Sequence, residues 1–335
     1  MLSGTPVPWR RMETALEKDR SERQDFYRPK YLDTLEQGRF PEKVREGRAM
    51  LRKCVVCPRE CGVNRMKGEM GVCRTRALAQ VSSFGPHHGE ERPLSGTRGS
   101  GTIFFANCNL KCVYCQNYDI SQLGRGGQEK DAYELAKIMC SLQDDYGCHN
   151  INLVTPSHVV PQIVEAIYLA AQSGLRIPIV YNTSSYDAMR SLKLVDGMVD
   201  LYLADLKYAS HENGVRYSHV EGYREVSRVA IVEMHRQVGE LITDEEGIAR
   251  RGLMIRHLVL PNDLSGTEEA MRFIAEGVSS RTFVNLMSQY RPAYQAHQYE
   301  LLGQGVSADE FDRARQIRRK YGLTQGEVQS FWRSL

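Results

Sequence analysis

Seven of the nine cysteines in this 335-residue chain fall into two tight groups, and their spacing points to metal chemistry. Cys108, Cys112 and Cys115 form a C-x3-C-x2-C pattern directly after an apolar run, while Cys54, Cys57, Cys61 and Cys73 lie among Gly, Pro, Arg and Asn. Thiolates are soft ligands that select zinc or iron–sulfur clusters. An odd cysteine total without a secretion signal argues against a disulfide framework. Three thiols on one loop are legs of a zinc site finished by a distant residue, unrelated buried thiols, or an incomplete ligand set that leaves one iron of a four-iron cluster open to a small molecule. Four thiols make a closed set, which is usually structural, and the spacing does not choose between zinc and a second cluster. Cys140 and Cys148 read as incidental buried thiols.

These groups need a scaffold. Hydrophobic residues at 41%, charged residues at 25% and no bilayer-length apolar run describe a soluble, cytoplasmic protein with no membrane role. A charge of +3 from 44 basic and 41 acidic residues, well mixed, gives no indication of nucleic acid. Short apolar runs at 102–106, 151–154, 177–181, 199–204, 253–260 and 282–286 read as six buried strands. Helical periodicity separates them: Leu135, Ile138, Met139 and Leu142 recur behind Asp131, an N-cap with Glu134 three residues on. Similar stretches cover 160–171, 186–194, 223–241, 267–276 and 308–321.

Repeated βα units predict an α/β fold with a parallel sheet. Useful polar groups gather where strand after strand ends, which favours a partial (β/α)6 TIM-type barrel over an open doubly wound sheet. The expected organisation is a helical lead-in over 1–53, a four-cysteine segment over 54–94, the barrel over 95–300, and C-terminal helices over 301–335 packed on it.

With Tyr114 just before its last cysteine, the C-x3-C-x2-C loop resembles the signature of the radical S-adenosylmethionine superfamily, whose partial barrel the strand pattern also resembles. Within it, the stretches 54–65, 68–74 and 99–105 and Cys115-Gln116-Asn117 are similar to homologues of pyruvate formate-lyase activating enzyme, a likeness running from about residue 54 to 300. The resemblance implies that Cys108, Cys112 and Cys115 hold a [4Fe-4S] cluster whose open iron is chelated by S-adenosyl-L-methionine. One electron, from a donor such as flavodoxin or ferredoxin, cleaves the sulfonium to a 5′-deoxyadenosyl radical that takes hydrogen from an unidentified substrate.

Other roles follow position by position. Tyr114 is expected against the adenine, or else covering the cluster. Relatives carry Gly-Gly-Glu after the second strand, and this chain departs with Thr155-Pro156-Ser157-His158, in which Thr155 and Ser157 offer hydroxyl acceptors and His158 is either useful or a surface residue. Asn182, Thr183 and Ser184 match cosubstrate-contacting positions, or simply cap the next helix. Asp205-Leu206-Lys207 matches an Asp-x-Lys sequence of the activating enzymes, with both side chains on one strand face, or is a surface ion pair.

Arg256 and His257 point to opposite faces of the fifth strand, so at most one enters the barrel, and His257 is the candidate. Met287, Gln289, Tyr290 and Arg291 end the sixth strand and line an entrance or merely pack. His87, His88, Glu90 and Glu91 are a solvated loop or a pocket group. Cys54, Cys57, Cys61 and Cys73 hold zinc or an auxiliary [4Fe-4S] cluster that relays electrons. A narrower function is activation of a glycyl-radical enzyme, with a protein or peptide substrate; a reading from another class is a non-catalytic iron–sulfur or zinc module.

Overall fold

The computed structural model describes residues 27–329, so the first half of the expected lead-in lies outside the described residues. The lead-in continues as α1 (Lys30–Glu36) and α2 (Phe40–Arg52). Asp200 ties it to the sheet by accepting from the Lys30 and Ile179 amides at 2.8 and 2.9 Å.

After the four-cysteine segment come β1 (Ala79–His87), a short α3 (Arg92–Ser95) and β2 (Ser100–Phe105), then α4 (Tyr118–Ser121) and β3 (Gln128–Lys130). The βα repeats follow: α5 (Ala132–Asp144), β4 (Ile151–Val154), α6 (Val160–Gln172), β5 (Ile179–Thr183), α7 (Met189–Val195), β6 (Leu201–Asp205), α8 (His211–Ser218) and α9 (Tyr223–Val238). The chain ends with β7 (Ile242–Thr243), β8 (Ala249–Leu258), α10 (Thr267–Phe273), β9 (Phe283–Met287), α11 (Ala308–Lys320) and β10 (Gly326–Gln329). Asp131 and Glu134 form the capping box the sequence predicts, with bonds of 2.8 and 3.0 Å.

One sheet runs β10-β9-β8-β6-β5-β4-β2-β1-β3, with β7 paired to β8 off that path. The six expected strands are β2, β4, β5, β6, β8 and β9, all parallel to their neighbours among them. The sheet does not close. Its edges are extended by elements that the apolar runs did not mark. β1 is antiparallel to β2 and β3. β10 lies parallel on β9, so the expected all-helical 301–335 is corrected by a strand. Glu327 and Gln329 give β10 no apolar run, and its backbone ladder to β9 alone makes it a strand.

Alternation divides the sheet into two faces. Ile103, Leu153, Tyr181, Tyr202, Ile255 and Val284 pack under the helices. On the opposite, inner face, Val180, Leu201, Leu203, Ala249, Met254 and Phe283 gather around Leu94 of α3. Because Leu201, Ala249 and Phe283 begin their strands, α3 plugs the N-terminal end and leaves the C-terminal mouth for the cysteine loop. Among the described residues no helix is long and apolar enough to cross a membrane.

Candidate functional site

Three successive strands turn over the mouth through strained residues. Asn107, Thr155 and Ser185, after β2, β4 and β5, have φ of 69°, 63° and 62°. Such angles are uncommon outside glycine, most of all for a β-branched residue, and strain of this kind collects at functional sites. Asn107 is held by its side-chain bond to Gln80 Oε1 at 2.8 Å and launches the loop of Cys108 to Cys115. The loop is anchored on three sides: Asn109 Nδ2 donates to Tyr186 O at 2.7 Å, Val113 N to Tyr217 O at 2.9 Å, and Gln295 N to Val113 O at 2.8 Å.

The three thiols of this loop are free of disulfides. Cys112 Sγ lies 2.9 Å from Ser218 Oγ, and Cys115 Sγ lies 3.1 Å from Ser121 Oγ. Burial, reinforced by the charge of Cys112, pushes the Cys108 thiol up to about 12; burial pushes Cys112 up to about 11, with Lys207 opposing. Thiolates that raise one another's pKa need a cation between them, and a soft multivalent centre supplies it. The donor set therefore fits an iron–sulfur centre with three protein ligands. No three His, Cys, Asp or Glu side chains among the described residues are gathered tightly enough to hold a single metal ion.

Asp205 ends β6, and Lys207 Nζ reaches its Oδ2 at 2.6 Å with both side chains about three-quarters buried. Burial works against the ammonium, but Asp205 first and Cys112 next hold it above its ordinary value. Tyr223 Oη locks this corner: it donates to Ser184 O at 2.9 Å and accepts from Lys207 N at 3.0 Å. Tyr114 is buried edge-on against Tyr208 and Tyr290, with ring centroids 6.2 and 5.8 Å away. Tyr208 Oη meets Ser218 Oγ at 2.8 Å, so a chain of hydroxyls runs to Cys112.

Other expected residues stand apart from the thiols. Ser157 Oγ and Thr183 Oγ1 are 3.0 Å from each other, and Thr183 and Tyr181 both donate to Asp187, closing a buried network. Asn182 faces the inner side beside Leu203, and Thr155 carries the strained turn after β4. His158 is buried, not a surface residue: Nε2 sits 3.1 Å from Ala106 O, and burial with the nearby Arg65 lowers its pKa to about 3.

His257 is corrected as the inward residue of β8. It faces the helices, bonded to Leu206 O at 2.9 Å and Thr267 Oγ1 at 3.1 Å, and burial lowers its pKa to about 4. Arg256 points inward instead. It shares a row with Asp205 of β6, Asn285 of β9 and Glu327 of β10. Its guanidinium bonds both Glu91 oxygens at 2.6 and 2.7 Å and also Glu90, while Asn285 Nδ2 donates to Glu91 at 2.6 Å. Glu91 is fully buried and the Glu90 side chain nearly so, so these two form a pocket group, while His87 and His88 of the same loop are exposed.

Sequence reasoning did not single out Arg256, Asn285 or Asn152 for this pocket. The signal was a polar residue at an inward position of an otherwise apolar strand. Neither side-chain amide atom of Asn152, nor Oδ1 of Asn285, has a partner among the described residues, although both residues are buried. Unspent polar valence on the inner face suits a polar occupant.

The four-cysteine segment packs against the loop. Cys54, Cys61 and Cys73 lie close enough to Cys57 for their charges to add to the burial that raises its thiol. Arg59 Nε donates to Asn109 O at 2.9 Å, and the fully buried Arg65 donates to Arg76 O at 2.9 Å and His158 O at 2.8 Å. A Cβ on Gly71 would sit 2.7 Å from Cys61 Sγ, so only glycine lets the backbone approach that thiol. All four thiols of the segment are free of disulfides.

No family model matches the chain. The uncharacterized protein MJ0674 of Methanocaldococcus jannaschii is 33% identical over 306 residues, which are 89% of this chain and 81% of that protein, and this chain belongs to its family. Among solved structures, Streptococcus suis SuiB bound to S-adenosylmethionine overlaps 67% of this chain and 48% of its own at TM-score 0.46 and 13% identity. HydG, a maturase of the [FeFe]-hydrogenase, overlaps 67% and 49% at TM-score 0.45 and 11% identity. Methylornithine synthase overlaps 68% and 70% at 0.44 and 13%. The matched region spans about half the length of SuiB and HydG, and these likenesses are too distant to carry an activity across.

Proposed function

We propose that the chain is a radical S-adenosylmethionine enzyme of the cytoplasm, with its reaction housed in the 95–300 unit and an unidentified substrate. The observation that carries this reading is the loop of three free thiols at the mouth of parallel strands, beside the buried Asp205–Lys207 pair. When bound, a [4Fe-4S] cluster with one open iron supplies the one-electron cleavage of S-adenosylmethionine that yields a hydrogen-abstracting radical.

Cys108, Cys112 and Cys115 are the residues that would hold it, with Ser218 and Ser121 donating to two of the sulfurs. Asp205 and Lys207 offer paired opposite charges to an amino acid group, and Tyr223 fixes both through the backbone. The tyrosines around the loop exclude water from the mouth. Asn152 is the inner-face group with both amide atoms to spend on a ligand, and Asn182 faces the same side. Cys54, Cys57, Cys61 and Cys73 hold a second centre, zinc or iron–sulfur.

The narrower function of a glycyl-radical activase is supported by the motif resemblance and by the Asp-x-Lys sequence. The test is anaerobic reconstitution: the protein should take up iron and form 5′-deoxyadenosine from S-adenosylmethionine under strong reductant. Iron uptake without any cleavage would favour the non-catalytic module.

A further inference from the structure

Two of the loop thiols end hydrogen-bond relays that start in other parts of the fold. Ser218 closes α8, and its Oγ lies 2.9 Å from Cys112 Sγ and 2.8 Å from Tyr208 Oη. Ser121 closes α4, and its Oγ lies 3.1 Å from Cys115 Sγ and 3.2 Å from Gln122 Nε2. Tyr208 and Ser218 are fully buried, and Ser121 and Gln122 nearly so. The third thiol, Cys108, meets the Leu110 amide at 3.4 Å. Each sulfur of the loop therefore has a donor within reach.

The chemistry of the partners fixes the direction of both relays. A sulfur that ligates a metal is a thiolate, which carries no proton and only accepts. Ser218 then gives its one proton to the bond with Cys112, which leaves its oxygen to accept from Tyr208. The Gln122 amide nitrogen only donates, so the Ser121 proton is left for Cys115. Among the described residues no hydroxyl bonds the sulfur of Cys54, Cys57, Cys61 or Cys73, although three of these are buried. The relays therefore belong to the three-cysteine loop and are not a general result of burying a thiol.

We propose that the Tyr208–Ser218 and Gln122–Ser121 relays set how readily the loop centre accepts an electron, by donating to two of its ligand sulfurs. An added electron raises the negative charge on the sulfurs of an iron–sulfur centre, so a donated hydrogen bond stabilises the reduced form more than the oxidised one. The reduction potential rises accordingly. Burial strengthens the effect, because a hydrogen bond is stronger in a low local dielectric. Ser218 and Ser121 act on the ligand atoms themselves. Tyr208 and Gln122 are positioning residues: each holds a serine oxygen and leaves the serine proton one target. The inference rests on the reading of the loop as an iron–sulfur site and is independent of the substrate.

The test is a redox titration of the reconstituted protein followed by electron paramagnetic resonance, the loop centre being the signal that Cys112→Ala removes. Ser218→Ala and, separately, Ser121→Ala should each lower its midpoint by about 59 mV, equivalent to a roughly tenfold fall in the ratio of reduced to oxidised centre at a fixed potential. Ser121→Thr, which keeps the hydroxyl, should hold the wild-type midpoint. Tyr208→Phe should shift it in the same direction by less, at wild-type iron content. Unchanged midpoints in both alanine variants overturn the proposal. So does loss of iron from both, which would make the hydroxyls a scaffold for the loop. A wild-type midpoint in Tyr208→Phe overturns the relay behind Ser218. If the loaded wild-type protein cleaves no S-adenosylmethionine, the radical reading falls while the midpoints still decide the relays; a loop that takes up no iron overturns both.

Discussion

Two polar groups on the inner sheet face, one around the cysteine loop and one around the loop before α3, are built to opposite rules although Asp205 and Arg256 share a row. At the mouth, thiols raise one another's pKa, strand ends are strained, and the Asp205–Lys207 pair faces Cys112. In the cluster around the loop before α3, every charge is answered: Arg256 by Glu91 and Glu90, Glu91 also by Asn285, and Glu90 by His87 at 2.9 Å. A buried ion cluster with complete partners adds little net stability but is costly to break. The difference separates groups kept for a ligand from groups kept for the fold.

Four experiments break or sharpen that contrast. Replacing Cys112 by Ala should abolish both iron at the loop and 5′-deoxyadenosine formation. It should move the melting midpoint of the unloaded protein by no more than roughly 2–4 °C, the mark of about 1 kcal/mol in a large domain. A large melting shift would place the loop with the fold.

The reverse holds for Arg256→Met, which strands two buried carboxylates. It should cost roughly 3–5 kcal/mol in denaturant unfolding, and adding Glu91→Gln should recover much of it. A neutral single variant would show that this ion cluster does not hold the fold.

Asp205→Asn belongs to the mouth. Losing a charge-assisted contact of about 1.5–3 kcal/mol should weaken S-adenosylmethionine binding roughly ten- to a hundredfold by calorimetry, leaving iron content and melting unchanged. A loss of stability without a loss of affinity would place Asp205 with the Arg256 cluster.

The smallest effect is on pH. Burial acts to raise the Glu90 carboxyl, but His87 and Arg256 outweigh it and hold it at about 2, against an ordinary 4.5. A depressed folded pKa means that stability is fully present above about 4.5 and is lost as pH falls toward 2. Acid unfolding followed by circular dichroism should therefore steepen over that window, and Glu90→Gln should flatten it. An identical acid limb in the variant would remove Glu90 from the cluster.

The same contrast explains what sequence reasoning could reach. Cys108, Cys112 and Cys115 are adjacent in sequence and chemically rare, so the mouth was legible, as were six strands written in apolar runs. Glu91, Arg256 and Asn285 are common residues brought together from positions up to 194 apart, as the Glu91–Asn285 bond shows. No local pattern encodes that meeting. Alternation on β8 did show that one of Arg256 and His257 faces inward, but choosing between them needed the sheet's two faces. β10 was illegible because its place depends on pairing and not on burial. Thr155 and Ser157 were legible only as hydroxyls, and Thr183, which meets Ser157, is itself engaged by Asp187 in the next loop.

The bond from Arg92 N to Glu327 Oε1, 2.9 Å long, joins positions 235 apart and brings the edge strand β10 against the plug. Closing so long a loop is entropically expensive and slow, whereas each βα unit forms from neighbours. On a ribosome, the parallel strands can assemble as they emerge, but this stitch waits for residue 327. The plugged end is thus the last part of the sheet to be sealed, and a nascent chain presents its cysteine loop before its own foundation is finished.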